Sequence, residues 1–381
     1  IGVEMRIVDL FSGAGGMTFG YYYSLKDGKF VKNEDCEIVF ANEKDSSAAK
    51  AFGLNFPDIK MLNCDIKALK ENTVNTLIGS GDIDLIIGGP PCQSFTTIGK
   101  RKYDDRARLY QEYIRMLKII RPRMFIFENV KGILSMKDGA NHSVMDRIFA
   151  RFKKISDNLG YNVVHRTLNA VEYGIPQYRE RVFMVGIRND QNISWVFPIG
   201  NENRLTIKEA ISDLPALMQG ETKENYTSEP SNNYQLLMRG YNKSLSFHRA
   251  ALHIEKIQIV INNISQGQGR FDFNHLVDNG VIDEKYRLTS GYKNTYARLV
   301  ATQPCTTITH NMSTPSSLRC IHYKQNRALT PREGARIQSF PDWFQFYGTI
   351  SDIKTQIGNA VPPLLALALK DKAFEALGGN K

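Results

Sequence analysis

Short apolar runs punctuate the first half of the chain, and helical spacing of apolar residues fills much of the sequence between them. The runs are RIVDLF (6–11), EIVFAN (37–42), IDLIIGG (83–89), MFIFENV (124–130), YNVVHRTLNA (161–170) and RVFMVGI (181–187). Amphipathic stretches such as YQEYIRMLKII (110–120) and SVMDRIFARFKKISDNLG (143–160) lie between them. A run without strict apolar–polar alternation suits a strand covered on both faces. Such strands alternating with helices imply a mostly parallel sheet. The pattern predicts a doubly wound α/β domain, Rossmann-like, over residues 1–190.

The pattern then lapses. Residues 191–325 are rich in Asn, Ser, Thr and Tyr with weak periodicity, yet they keep enough aromatic and apolar residues to argue against disorder. A smaller, loop-rich second domain is expected there. Helical signals return in TPREGARIQSF (330–340) and PPLLALALKDKAFEAL (362–377), so residues 326–381 are expected to rejoin the first domain.

A length of 381 residues fits two domains or one large domain with an insertion. The 42% hydrophobic and 23% charged residues are ordinary for a soluble chain. No apolar run approaches the roughly 20 residues that span a bilayer, so a cytoplasmic protein without membrane contact is expected. The five cysteines (36, 64, 92, 305, 320) are scattered and form no CxxC pair, which argues against a disulfide framework and against a metal site. A net charge of +10 and a pI near 9.2 favour a polyanionic partner. Part of the excess sits in 231–325, with eleven Lys and Arg against five Asp and Glu.

Two stretches carry chemistry. In VDLFSGAGGMTFG (8–20) a strand enters a turn at Gly13, Gly15 and Gly16 and then a helix, where backbone amides are open to a ligand. Thr18 stands where a dinucleotide fingerprint needs its third glycine. Glu43 and Asp65 end the following strands; the first suits ribose hydroxyls and the second an adenine amino group. An adenosine-containing cofactor follows from the combination. In LIIGGPPCQSFTTIG (85–99), Cys92 comes directly after Pro90 and Pro91, which stiffen the backbone and donate no amide hydrogen. Glu128 ends the strand MFIFENV and should share the carboxyl edge of the sheet with Cys92.

The chain resembles the DNA (cytosine-5)-methyltransferases of bacterial restriction–modification systems. DLFSGAGG, GGPPCQSF, ENVKG, YGIPQYRERVF, RALTPREGARIQSFPDWF and QIGNAVPP match that family's motifs in order, from about residue 6 to 369. The resemblance implies an S-adenosyl-L-methionine-dependent domain with a target recognition domain inserted before the C-terminal segment. It also implies roles. Cys92 would add to C6 of a flipped-out cytosine in double-stranded DNA, Glu128 would hold N3 and the amino group, Arg181 would reach O2 and Arg179 a phosphate. Phe11, Gly13, Gly16, Glu43, Asp65, Ile66, Pro90, Leu109, Asn359 and Val361 would bind the cofactor.

Gln93 and Ser94, with Lys100 and Arg101 in the basic stretch 94–110, would contact DNA. Tyr292, Lys293, Asn294, Arg298 and Thr307 (the last in a Thr-Ile pair like the family's Thr-Leu) would serve recognition. One departure is His322-Tyr323, where the family usually has His-Pro. A cognate restriction endonuclease and a monomer on DNA are further expectations. Three alternatives stay open: a tRNA cytosine methyltransferase on the same fold, an NAD-linked oxidoreductase, and a noncatalytic DNA-binding relative.

Overall fold

Each apolar run of the first half becomes a strand, the central ones buried on both faces and the last, at the sheet edge, partly exposed. The computed structural model describes residues 5–90, 109–138 and 141–378. Cys92, Gln93, Ser94, Lys100 and Arg101 lie outside the described residues. In chain order the elements are β1 (Met5–Leu10), α1 (Gly16–Tyr22), β2 (Tyr23–Lys26), β3 (Lys29–Lys32), β4 (Cys36–Glu43), α2 (Ser46–Asn55), β5 (Met61–Asn63), α3 (Glu71–Ile78), β6 (Leu85–Gly88), α4 (Leu109–Ile120) and β7 (Met124–Val130). There follow α5 (Val144–Lys153), β8 (Tyr161–Asn169), β9 (Glu180–Arg188), α6 (Ile207–Ile211), α7 (Asn233–Arg239), α8 (Glu255–Asn262) and α9 (Arg270–Asp278). Last come α10 (Pro331–Ile337), α11 (Ile350–Asn359) and α12 (Pro363–Leu377).

The main sheet has seven strands in the order β5-β4-β1-β6-β7-β9-β8. The chain winds outward from β1 to β4 and β5, then returns to β6 on its other side, so the switch point lies at β1. Ligands of open α/β sheets bind beyond the carboxyl ends of the strands at such a point. Register makes this concrete. Leu10 pairs with Asn42 and with Gly88, and Gly88 pairs with Phe127. The next residue of each strand or of the chain beyond it (Phe11, Glu43, Gly89, Glu128) therefore emerges along one edge. Strand β9 runs antiparallel to β7, which sets Arg181 opposite Val130 and brings its guanidine to that same edge.

Successive strand residues point to opposite faces. Ile7, Leu85, Ile87, Ile126 and Phe183 face one apolar layer, while Val8, Leu10, Ile86, Phe125, Phe127 and Met184 face the other. The first layer does not end at residue 190. It continues through Phe197, Ile211, Tyr234, Met238, Leu299 and Ile308 to Leu329 and Phe340. A separate small apolar cluster buries Val260, Ile264, Phe273, Val277, Leu288 and Tyr296, with Ile257, Ile259, Ile282 and Tyr286 packed around them. The C-terminal segment docks on α1 because two glycines allow it. A Cβ on Gly16 would lie 2.5 Å from the Val361 carbonyl oxygen, and one on Gly20 would lie 2.4 Å from the Ala366 carbonyl carbon.

Buried charge ties α10 to Asp213 of the middle segment and to its own flanks. Arg336 pairs with Asp213 at 2.5 Å and with Asp342 at 2.6 Å, and Arg327 pairs with Glu333 at 2.6 Å. All five side chains are buried. Removing one partner from such a pair typically costs about 3–5 kcal/mol, because the other charge is left buried alone. Thr330 and Glu333 form a capping box at the start of α10. The missing proline after His322 breaks nothing: His322 Nδ1 accepts from the amides of Lys324 and Gln325, both at 3.0 Å, and closes the turn. No described helix is long and apolar enough to cross a membrane.

Candidate active site

A cavity of about 470 Å³ opens at the switch point. Its lining includes every residue that the sequence assigns to the cofactor: Phe11, Gly13, Gly16, Glu43, Asp65, Ile66, Pro90, Leu109, Asn359 and Val361. Glu128 and Arg181 line it as well. The glycine turn owes its sequence partly to the cavity and partly to packing. Gly13 has φ +57° and nothing within 4 Å of where a Cβ would sit among the described residues, so it keeps the cavity open. Gly15 has φ +95°, and its Cβ would meet the Phe56 ring at 2.3 Å, so packing requires that glycine. Phe11 adopts φ +59°, an unusual conformation for a bulky residue, which turns the chain out of β1 beside the cavity.

Glu43 braces the turn. Its Oε2 accepts from the Gly13 amide at 2.9 Å and its Oε1 from the Asp45 amide at 2.7 Å, while burial raises its pKa. Asp65 accepts from Lys44 Nζ at 2.8 Å and from the Lys67 amide at 3.0 Å; these bonds lower its pKa. At the far end Glu128 Oε1 lies 3.0 Å from Arg181 Nε, with both side chains largely buried. Burial raises the Glu128 pKa, against the opposing pull of Arg181 and then Arg179. The paired glycines before Pro90 now have a reason. A Cβ on Gly88 would come within 2.4 Å of the Leu10 carbonyl oxygen, and one on Gly89 within 2.7 Å of Glu128 Oε2.

The structure corrects two expectations. Arg179 is fully buried, and its guanidinium donates to the carbonyl oxygens of Ile308, Gly358 and Ala360, each at 2.9 Å. No surface remains on which it could meet a phosphate. Arg298 is also buried; it donates to the carbonyls of Ile261, Ile264 and His322 at 2.7 Å and to that of Gln325 at 2.9 Å, so it organises its own loops and presents no donor to a base. Arg239 is likewise paired inside with Asp213 at 2.9 Å, so part of the positive excess of 231–325 is structural. Tyr292, Lys293 and Asn294 are exposed, away from the cavity lining. Thr307 is partly exposed, and its hydroxyl donates to the Tyr178 carbonyl at 2.7 Å.

Asp9 was not singled out by sequence reasoning, although a carboxylate inside the apolar run RIVDLF is the signal that marks it. It lies on β1 and lines the cavity. Thr18 Oγ1 donates to its Oδ2, and Oδ1 is buried without a partner among the described residues. Burial pushes Asp9 up to about 8, aided by Glu43 and opposed by the Thr18 hydrogen bond. Between the ordinary carboxyl range and that value, the folded protein holds a proton that the unfolded chain has lost. This contribution to stability is therefore full in acid and declines as pH rises towards 8, by up to about 1.4 kcal/mol per pH unit. Asp9→Asn is expected to remove the slope, so its unfolding midpoint should gain on the wild type with rising pH. Thermal unfolding followed across that window checks this; a difference independent of pH would contradict the assignment.

The acidic cavity, flanked by a carboxylate–arginine pair, lies at the switch point of an open doubly wound sheet, where open α/β sheets take their ligands. The family profile "C-5 cytosine-specific DNA methylase" matches residues 5–375. The chain belongs to this family and is a DNA (cytosine-5)-methyltransferase. It is 35% identical to the type II methyltransferase M.DdeI of Desulfomicrobium norvegicum, over 97% of this chain and 88% of that protein. It is 31% identical to the type II methyltransferase M1.HphI of Haemophilus parahaemolyticus, over 98% and 87%. Among solved structures, a prophage-encoded DNA modification methyltransferase of E. coli superposes with a TM-score of 0.75 at 24% identity, covering 98% of this chain and all (100%) of that one. The methyltransferase EhMeth of Entamoeba histolytica gives 0.60 at 15%, over 98% and 99%. At these identities the likeness is one of fold.

Proposed function

We propose that the chain methylates C5 of a cytosine flipped out of duplex DNA, using S-adenosylmethionine and a transient bond between Cys92 and C6. The observation that carries the cofactor reading is the charge of the cavity. Asp9 keeps its proton up to about pH 8, but Glu43, Asp45, Asp65, Glu128 and Asp352 line the cavity as well. Of the cations there, Lys44 is bonded to Asp65 and Arg181 is paired with Glu128. No described side-chain cation bonds Asp9 or Glu43. Such a cavity suits a ligand with positive charge and opposes a pyrophosphate, which weighs against NAD. S-adenosylmethionine, when bound, supplies an electrophilic methyl group on a sulfonium. Phe11 would pack on its adenine, Glu43 hold the ribose, and Asp65 with Ile66 meet the adenine edge. Pro90, Leu109, Asn359 and Val361 would enclose it.

The chain's own groups would then activate the base. The Cys92 thiolate adds to C6, and the C5–C6 π electrons make C5 nucleophilic. Glu128 bonds N3 and the amino group and supplies a proton as charge builds on the ring. Arg181 holds Glu128 and reaches O2. After methylation the C5 proton leaves to water, the thiolate is expelled, and Glu128 takes back the N3 proton, which restores the ring. A base inside a duplex cannot enter a crevice at a sheet edge, so it must be flipped out, at a cost of a few kcal/mol.

Residues 191–325 would read the target, with Tyr292, Lys293, Asn294 and Thr307 as contacts; Gln93, Ser94, Lys100 and Arg101 would meet the DNA near the nucleophile. A cytoplasmic monomer on DNA, paired with a nuclease of the same target, completes the reading. Labelled S-adenosylmethionine incubated with fragmented genomic DNA, with tRNA or with neither tests it. Label in acid-stable DNA cytosine is the expected result, and label confined to tRNA would overturn it.

A further inference from the structure

The fully buried Arg179 hydrogen-bonds no carboxylate among the described residues, although it acts on Glu128 through space. Its terminal nitrogens donate to backbone carbonyls of two distant segments. One of its terminal nitrogens donates to Ile308 O, and the other to Gly358 O and Ala360 O, all at 2.9 Å. The second pair of carbonyls brackets Asn359, which lines the cavity together with Val361. The first belongs to the 305–310 stretch of the middle segment, which is stitched to the chain just before β9. Tyr178 donates to the Cys305 carbonyl and Cys305 to the Pro176 carbonyl, both at 2.8 Å. The buried Gln177 accepts from the Ile308 amide at 2.9 Å and donates to Gln338 Oε1 at 2.6 Å. Contact between the two segments is direct as well: a Cβ on Gly358 would lie 2.4 Å from the His310 amide nitrogen.

We propose that Arg179 is a positioning residue that couples cofactor binding to DNA binding, by holding the cavity segment 358–361 and the middle segment 305–310 as one joint. The inference rests on the functional reading above. A buried cation is costly, and a joint built on one guanidinium fork concentrates the connection in a single group. Ordering either segment with its ligand then prepares the other, and the effect must be reciprocal. Lysine keeps the charge but lacks the planar fork, so it cannot serve both sets of carbonyls at once.

The test is a ratio. Calorimetry gives the Kd of S-adenosylhomocysteine without DNA and at a saturating concentration of a duplex carrying the site found by the methylation assay. The wild type is expected to bind about fivefold or more tightly with the duplex present. Arg179→Lys is expected to bring the ratio close to one, with a smaller change in the Kd measured without DNA. Thr307→Val removes the hydroxyl stitch to Tyr178 together with any contact of that hydroxyl to DNA. With the duplex kept saturating, a lost DNA contact leaves the ratio alone, and loss of the stitch should lower it part of the way. This variant decides the matter if Arg179→Lys does not fold. A residue that merely stabilised the fold would weaken both measurements and leave the ratio unchanged; that result, or a wild-type ratio of one, overturns the proposal. Failure of the wild type to bind either probe overturns the functional reading and this one with it.

Discussion

Cys92→Ser is expected to lower methyl transfer by about 10⁴-fold or more, the scale on which the loss of a covalent nucleophile acts. A serine hydroxyl is almost wholly protonated at neutral pH, whereas a free thiol with a pKa of about 8.5 already supplies some thiolate. No other described cysteine can take over, because none lines the cavity. Burial pushes the Cys305 thiol up to about 12 and raises Cys64 and Cys320 as well. Duplex and cofactor affinities should persist, since phosphate contacts and the carboxylates of the cavity do not involve the sulfur. Initial rates with labelled S-adenosylmethionine, set beside duplex Kd values, check both halves. Turnover within about tenfold of the wild type would end the covalent mechanism.

What was legible in the chain, and what was not, follows from the range of the interactions. The runs that became β1, β4, β6, β7 and β9 were readable because burial writes itself into contiguous residues. Strand β8, an edge strand exposed along much of its length, was readable from its β-branched residues. Strand β5 is only Met61–Asn63, and β2 and β3 are short and largely exposed, so neither left a pattern to read. Helix α5 stops at Lys153, short of the predicted 160, because Ser156 and Leu159 bond each other in a tight turn. The cavity residues were readable through motifs at strand ends, where register alone brings Phe11, Glu43 and Glu128 to one edge.

Arg179 and Arg298 were misread for the opposite reason. Guanidiniums usually meet solvent, and what buries these two is a set of carbonyls far away in sequence, such as Ile308 and Gly358 for one and Ile261 and Gln325 for the other. The middle segment misleads in a similar way. Its weak periodicity suggested a separate unit, yet Tyr234, Met238 and Ile308 share the main apolar layer, and only the cluster around Phe273 stands apart.

Glu128→Gln is expected to reduce kcat by about 10²- to 10⁴-fold, the range attributed to a positioned proton donor, with little change in duplex affinity. Glutamine keeps the shape and one amide donor but cannot give up a proton to N3. The pH dependence separates this from simple loss of packing. Burial raises the Glu128 pKa, so its carboxyl keeps a proton beyond the ordinary range, and Arg181 at 3.0 Å limits the rise. Proton donation fails as pH climbs through that raised value, while the supply of Cys92 thiolate grows with pH. The rate should therefore pass through a maximum whose basic limb belongs to Glu128. Arg181→Met removes the nearby positive charge, so Glu128 should hold its proton to higher pH and the basic limb should move upward, even as the maximal rate drops. In Glu128→Gln the basic limb should vanish. Rate profiles of the three proteins against pH decide the point: a basic limb unchanged in both variants would mean that another group carries the proton, and that Glu128 only shapes the crevice.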